Sequence, residues 1–142
     1  MVILDQRLKP KGDIVKVINA GCEILGIANK DFTICVLDIP TLSSNNYQFI
    51  AMIDMAFADT YRLYISSTNT MSMVGRAVAH ELIHLKQFVD GRLTISSDRK
   101  VGMFDGIPIL PPYSPEQPHE VEAFKAMYKL WRDIKKYLKQ SK

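Results

Sequence analysis

His80-Glu81-Leu82-Ile83-His84 constrains the fold of this chain more than any other stretch, because it places two imidazoles four residues apart in a segment built to be helical. Residues four apart on an α-helix lie one above the other, so both imidazoles can reach a single point beside the helix while Glu81 faces the same side. The flanking Ala77, Val78, Ala79, Leu82, Ile83 and Leu85 carry no charge and no helix breaker. Thr70 or Ser72 can cap the segment and Asp90-Gly91 can stop it, which predicts a helix to about Val89. At 100° per residue, Val74, Ala77, Val78, Leu82, Leu85, Phe88 and Val89 form one apolar arc. Glu81 falls inside the arc, His80 and His84 at its margin, and Arg76, Lys86 and Gln87 outside it. A carboxylate aimed into apolar packing is costly unless paired or coordinated. Histidines at this spacing are zinc-ligand geometry, and a catalytic zinc takes three protein ligands with a fourth position open. The rest of the chain must therefore deliver a third ligand to this helix.

The remaining histidine lies in Pro118-His119-Glu120-Val121-Glu122-Ala123, at the head of a second long amphipathic segment. Ser114-Pro115-Glu116-Gln117 combines an S-x-x-Q capping box with proline at the first helical position, predicting a helix from there to about Lys139. Together HELIH-x-x-Q and the downstream P-x-E-x-E-A resemble the zincin superfamily, in the gluzincin-like arrangement whose third ligand is a Glu on a later helix, as in several small bacterial and phage metallopeptidases. The resemblance covers roughly residues 61 to 130. It implies that His80 and His84 bind Zn2+, that Glu81 is the general base of peptide hydrolysis, and that a Glu of the second motif completes the site. It also implies that the strand before the active helix, Tyr61 to Ser66, is an exposed edge able to bind an extended peptide by strand addition. Many such families carry Asp or Asn four residues after the ligand Glu to orient a histidine; Phe124 stands there in this chain, which leaves Asp105 as the candidate for that role. Tyr113 is a candidate donor to a developing oxyanion, although packing is its ordinary role.

Helix geometry separates the two glutamates. Val121, Ala123, Phe124, Met127, Tyr128, Trp131, Ile134 and Leu138 make one broad apolar face with Glu120 near its middle, whereas Glu122 points about 200° away among Lys125, Lys129, Asp133 and Lys136. There a pair with Lys125 gives Glu122 a solvated role. Glu120 is thus the expected third ligand. Pro118 leaves the first turn free to deviate, and a shift there exchanges the two roles, so Glu122 is the alternative. His119 reads as a first-turn surface residue, with a substrate-facing donor as the second reading.

The scaffold is legible in outline. Ile14, Val17, Ile18, Cys22 and Leu25 recur at helical spacing between Asp13 and Gly26. Phe32 to Leu37 is rich in strand formers, and Gln48–Met55 followed by Tyr61–Ile65 suits a hairpin better than a helix. A short hairpin, Leu93 to Ile95 with Val101 to Phe104, precedes a proline-rich exit. These elements predict an α+β fold: a single zincin-like domain, residues 1–142, with a small mainly antiparallel sheet, an active helix carrying HExxH and a long C-terminal helix carrying the third ligand. At 142 residues the chain can bury roughly two thirds of its unfolded surface without staples. Cys22 and Cys35, lacking a Cys-x-x-Cys pattern, read as small buried hydrophobes.

The absence of an 18-residue apolar run and the charged start (Asp5, Arg7, Lys9, Lys11) predict no membrane span, no signal peptide and a cytoplasmic protein. Net charge is +3, and residues 125 to 142 hold seven Lys or Arg against one Asp, leaving the remainder at −3. Such a tail is more often a solvated helix face than a nucleic-acid site. The expected partner is a peptide or protein substrate. The alternative is a non-catalytic zinc-binding module whose basic C-terminal helix binds nucleic acid or a protein, and a metal hydrolase of a non-peptide bond shares the same ligands. Glu81 separates them, because a structural zinc needs no carboxylate between its histidines and usually closes with four protein ligands.

Overall fold

The computed structural model of the chain describes residues 1–8, 13–38, 43–44, 47–48, 50–66, 70–96, 98, 100–109 and 114–140. The element order is β1 (Val2–Asp5), α1 (Ile14–Ile24), β2 (Thr33–Asp38), β3 (Ser43–Ser44), β4 (Tyr47–Gln48), β5 (Ala51–Phe57), β6 (Thr60–Ile65), α2 (Met71–Val89), β7 (Leu93–Ile95), β8 (Gly102–Phe104), β9 (Ile107–Ile109) and α3 (Pro118–Gln140). The fold is mixed α/β.

The central sheet has the order β1-β2-β6-β5. β1 pairs with β2 in parallel from Val2 opposite Thr33, β2 pairs with β6 in parallel from Thr33 opposite Thr60, and only β5 and β6 run antiparallel. This corrects the expected mainly antiparallel sheet. The expectation failed because Val2–Asp5, three apolar residues and an Asp, is too short to show an alternation of its own; once it pairs, α1 is the crossover that parallel neighbours require. Residues alternate between buried and half-buried along β2 and β6, so one face of the sheet takes the core and the other does not. Ile34, Val36, Leu63 and Ile65 present that face to the helices.

The sheet also corrects the expected edge. β6, the strand read as an exposed edge, lies inside the sheet, and β5 is the edge beside α2. Ser66 donates to the Ile50 carbonyl across the hairpin (2.8 Å), so Ile50, Met52 and Asp54 turn their backbone groups toward β6. Ala51, Ile53 and Met55 therefore turn theirs outward.

α2 begins at Thr70, whose Oγ1 accepts from Met73 N (3.4 Å), and ends where Gly91 adopts φ 75°, a left-handed conformation that costs glycine little. α2 packs against both α1 and α3. At Gly75 a Cβ would overlap the Trp131 ring, so glycine sets how closely α2 and α3 approach. α3 starts at Pro118 rather than at the Ser114 capping box: Ser114 closes a separate turn, its carbonyl accepting from Gln117 N (3.1 Å). The hairpin expected at residues 93–104 gains a third strand, β9, through the turn Asp105-Gly106, both at positive φ. Cys22 is buried and Cys35 half-buried, neither in a disulfide. No helix among the described residues is long and apolar enough to cross a membrane.

Candidate metal centre

The middle of α2 and the first turn of α3 meet where the sequence placed its two motifs. His80 Nε2 and His84 Nε2 lie 3.2 Å apart, Glu120 Oε2 lies 3.4 Å from His80 Nε2, and Glu120 Oε1 contacts His84 Nε2 directly. One donor atom from each of His80, His84 and Glu120 falls within 4.8 Å of the others, a possible metal-ligand set. Two nitrogens bound at ~2.05 Å with a tetrahedral angle are roughly 3.3 Å apart, so the imidazole spacing needs little adjustment to accept an ion the size of zinc. Both histidines are buried and Glu120 is partly so. Metal aside, the cluster is held by charge. Burial disfavours the Glu120 carboxylate, but hydrogen bonds and charge from His80 and His84 outweigh it and hold its pKa far below the carboxylate range. Burial likewise disfavours the His84 imidazolium, yet the Glu120 hydrogen bond and the charges of Glu81 and Glu120 raise its pKa to about 9.

Glu81 stands at the floor of the same cleft. Its Oε2 accepts a hydrogen bond from Ile53 N (3.0 Å) on the outward side of β5. That bond ties the edge strand to the carboxylate between the histidines. Desolvation pushes the Glu81 carboxyl up, with His84, His80 and the Ile53 amide pulling the other way. A carboxyl whose pKa rises from its ordinary value moves toward the range where a proton acceptor works at neutral pH.

The residue that orients His84 is Gln87, not Asp105. His84 Nδ1 lies 2.8 Å from Gln87 Oε1, while Gln87 Nε2 donates to the His119 carbonyl (3.2 Å) and to Glu122 Oε1 (3.1 Å). With its amide nitrogen so engaged, Gln87 presents oxygen to His84 and accepts from Nδ1; the second imidazolium proton, on Nε2, is the one donated to Glu120 and the one a metal would replace. Arg92 then binds both Glu122 oxygens (2.8 Å each) and both Asp105 oxygens (2.8 and 2.9 Å). Asp105 thus reaches the site only through Arg92, Glu122 and Gln87. Glu122 is likewise corrected: it meets Arg92 and Gln87, not Lys125. A signal for Gln87 was present in HELIH-x-x-Q, since a residue three after His84 shares its face; the apolar arc alone placed it outside.

His119, expected on the surface, is buried, its ring 5.5 Å from that of His84 and its Nε2 3.9 Å from Glu120 Oε1. Nothing in its sequence surroundings distinguished it, because its cover comes from Phe104 of the distant β8 (ring centroids 6.0 Å). Phe124 packs its ring 4.4 Å from that of His80. Tyr113 lies outside the described residues.

The cluster opens into a cleft of about 390 Å³ bounded by β5, α2, β7 and the first half of α3. The chain matches no family model, no curated protein and no solved structure. Fold and site together define a mixed α/β protein in which two helices bring two imidazoles and a carboxylate to the floor of an open cleft.

Proposed function

We propose that the protein is a zinc-dependent peptidase in which His80, His84 and Glu120 hold the metal and Glu81 is the general base. The observation that carries this reading is the position of Glu81: a desolvated carboxylate between two ligand-spaced histidines, at the floor of a cleft large enough for several peptide atoms. A purely structural site has no use for it.

Zinc bound by this donor set supplies a Lewis acid that acidifies a water molecule and polarises a carbonyl. The protein's own groups do the rest. Glu81 takes the proton from the attacking water and delivers it to the leaving nitrogen, held at the right height by the Ile53 amide. Gln87 fixes the His84 ring so that Nε2 faces the metal position. The outward amides and carbonyls of Ala51 and Met55 offer an extended substrate a strand to pair with, the role expected of an edge and here taken by β5. The resemblance to the gluzincin-like zincins supports the same assignment from the motifs.

The test is cleavage of a peptide library by zinc-replete wild type and Glu81→Gln. The amide is nearly isosteric but cannot accept the proton, so turnover should fall by about 10² to 10⁴-fold while zinc content is unchanged. Equal turnover in both proteins would remove Glu81 from the chemistry.

A further inference from the structure

The cleft is a trough along α2 whose two ends differ in chemistry. Its α2 wall runs at helical spacing from Met73 through Arg76 and Ala77 to His80, Glu81, His84 and Phe88. α3 passes α2 in the opposite sense, with His119 beside Gln87 at one end and Trp131 beside Gly75 at the other. Beyond the His84 end lie Phe88, Leu93 and Ile95, all hydrocarbon. Beyond the His80 end, Met73, Phe124, Met127 and Tyr128 line the cleft together with one guanidinium, Arg76.

Arg76 differs from the arginines that serve the fold. Arg7 binds Asp5, Arg62 binds Asp54, and Arg92 binds Asp105 and Glu122. Arg76 is only partly exposed, and among the described residues it makes no hydrogen bond or ion pair. The carboxyl groups of the cleft, Glu81 and Glu120, are engaged by the Ile53 amide and the histidines. The apolar side chains lining this end lie open: Met73 is 40% exposed, Phe124 45% and Tyr128 59%. An unpaired cation set in exposed apolar surface attracts a carboxylate with hydrophobic neighbours and repels a basic side chain.

We propose that Arg76 makes the cleft selective for peptide segments with an acidic residue on the Arg76 side of the bond above the ligand trio and an apolar residue on the Phe88 side. Arg76 precedes His80 by four residues, about 6 Å of helix rise. An extended peptide advances about 3.3 Å per residue, which sets the acid about two residues from that bond. Cleavage of the bond rests on the peptidase reading above; recognition of the segment rests on the cleft alone.

The two are tested separately with one set of labelled host peptides carrying a leucine and, at the acid position, Glu, Gln or Lys. Binding is measured by fluorescence anisotropy to zinc-loaded Glu81→Gln, which retains the cleft but not the base. Glu should be favoured over Lys by about three- to tenfold. The preference should vanish when Arg76→Gln is added and reverse with Arg76→Glu, with zinc content and circular dichroism verifying each fold. Equal binding of the three peptides, an order untouched by either Arg76 change, or no binding at all would overturn the proposal. Wild type is then assayed for cleavage of the same peptides. Arg76-dependent binding without cleavage would sink the peptidase reading and keep this one; cleavage indifferent to the guest residue would do the reverse.

Discussion

Gln87 carries a consequence that the three donor residues alone do not. Replacing it with leucine keeps the volume but leaves His84 Nδ1 buried without an acceptor and frees the ring to turn. Zinc affinity, measured by competition with a chromophoric chelator, should fall by about 10- to 100-fold, the usual effect of losing a partner behind a metal-bound histidine. An affinity equal to wild type would mean that the Glu120 contact alone orients the ring. Titration of His84 gives a second expectation at this scale. Its folded pKa of about 9 lies above its ordinary 6.5, so in the metal-free protein the stability from its contact with Glu120 is full below pH 6.5 and is lost as pH rises through about 9. Glu120 bounds the same contact on the acid side: its carboxyl is depressed from 4.5, so the contribution is lost as pH falls below that value. Zinc requires the neutral imidazole and must displace that proton. The rise in melting temperature on adding zinc should therefore grow steadily from pH 6.5 to pH 9. A rise that is already complete at pH 6.5 would contradict the coupling of His84 to Glu120.

Among the elements, α2 and α3 were the most legible and the sheet the least. The periodicity of α2, its stop at Asp90-Gly91 and the inward aim of Glu120 all follow from residues within one helix, where neighbours three and four apart decide the face. Strand order has no such local record. Val2–Asp5 shows no clean alternation, and whether β5 or β6 forms the edge depends on β2, a pairing between residues far apart in sequence. The fate of polar residues on the helices was hidden for the same reason: Gln87 and Glu122 look solvated on a helical wheel, and only the meeting of α2 with α3 brings His119 and Glu122 to Gln87, while Arg92 reaches Glu122 from beyond the end of α2. Packing between the helices makes its own prediction. Gly75→Ala drives a methyl into the Trp131 ring and should destabilise the fold by about 1–3 kcal/mol in urea unfolding. A change within error would show that α3 can shift away from α2 freely.

At the scale of the whole molecule, the sheet anchors α2 through Leu63 and Ile65, α1 fills behind it, and α3 crosses its outer side, so the first turn of α3 arrives at the middle of α2. The three-stranded sheet β7-β8-β9 is joined to this centre through Arg92, which holds Asp105 of its turn and Glu122 of α3 at once. Arg92→Ala should therefore loosen that sheet and weaken zinc binding together, read as faster amide exchange at Met103 and a lower zinc affinity in the same protein. Faster exchange with unchanged affinity would confine Arg92 to the fold. The most direct measurement of all is zinc stoichiometry in protein purified from zinc-containing medium, comparing wild type with His80→Ala, His84→Ala, Glu120→Ala and Glu122→Ala. The expected result is about one zinc per chain in wild type, loss of it in the first three variants and retention in Glu122→Ala, whose carboxylate supports the site only through Gln87. Zinc retained by Glu120→Ala and lost from Glu122→Ala would contradict the assignment at its centre.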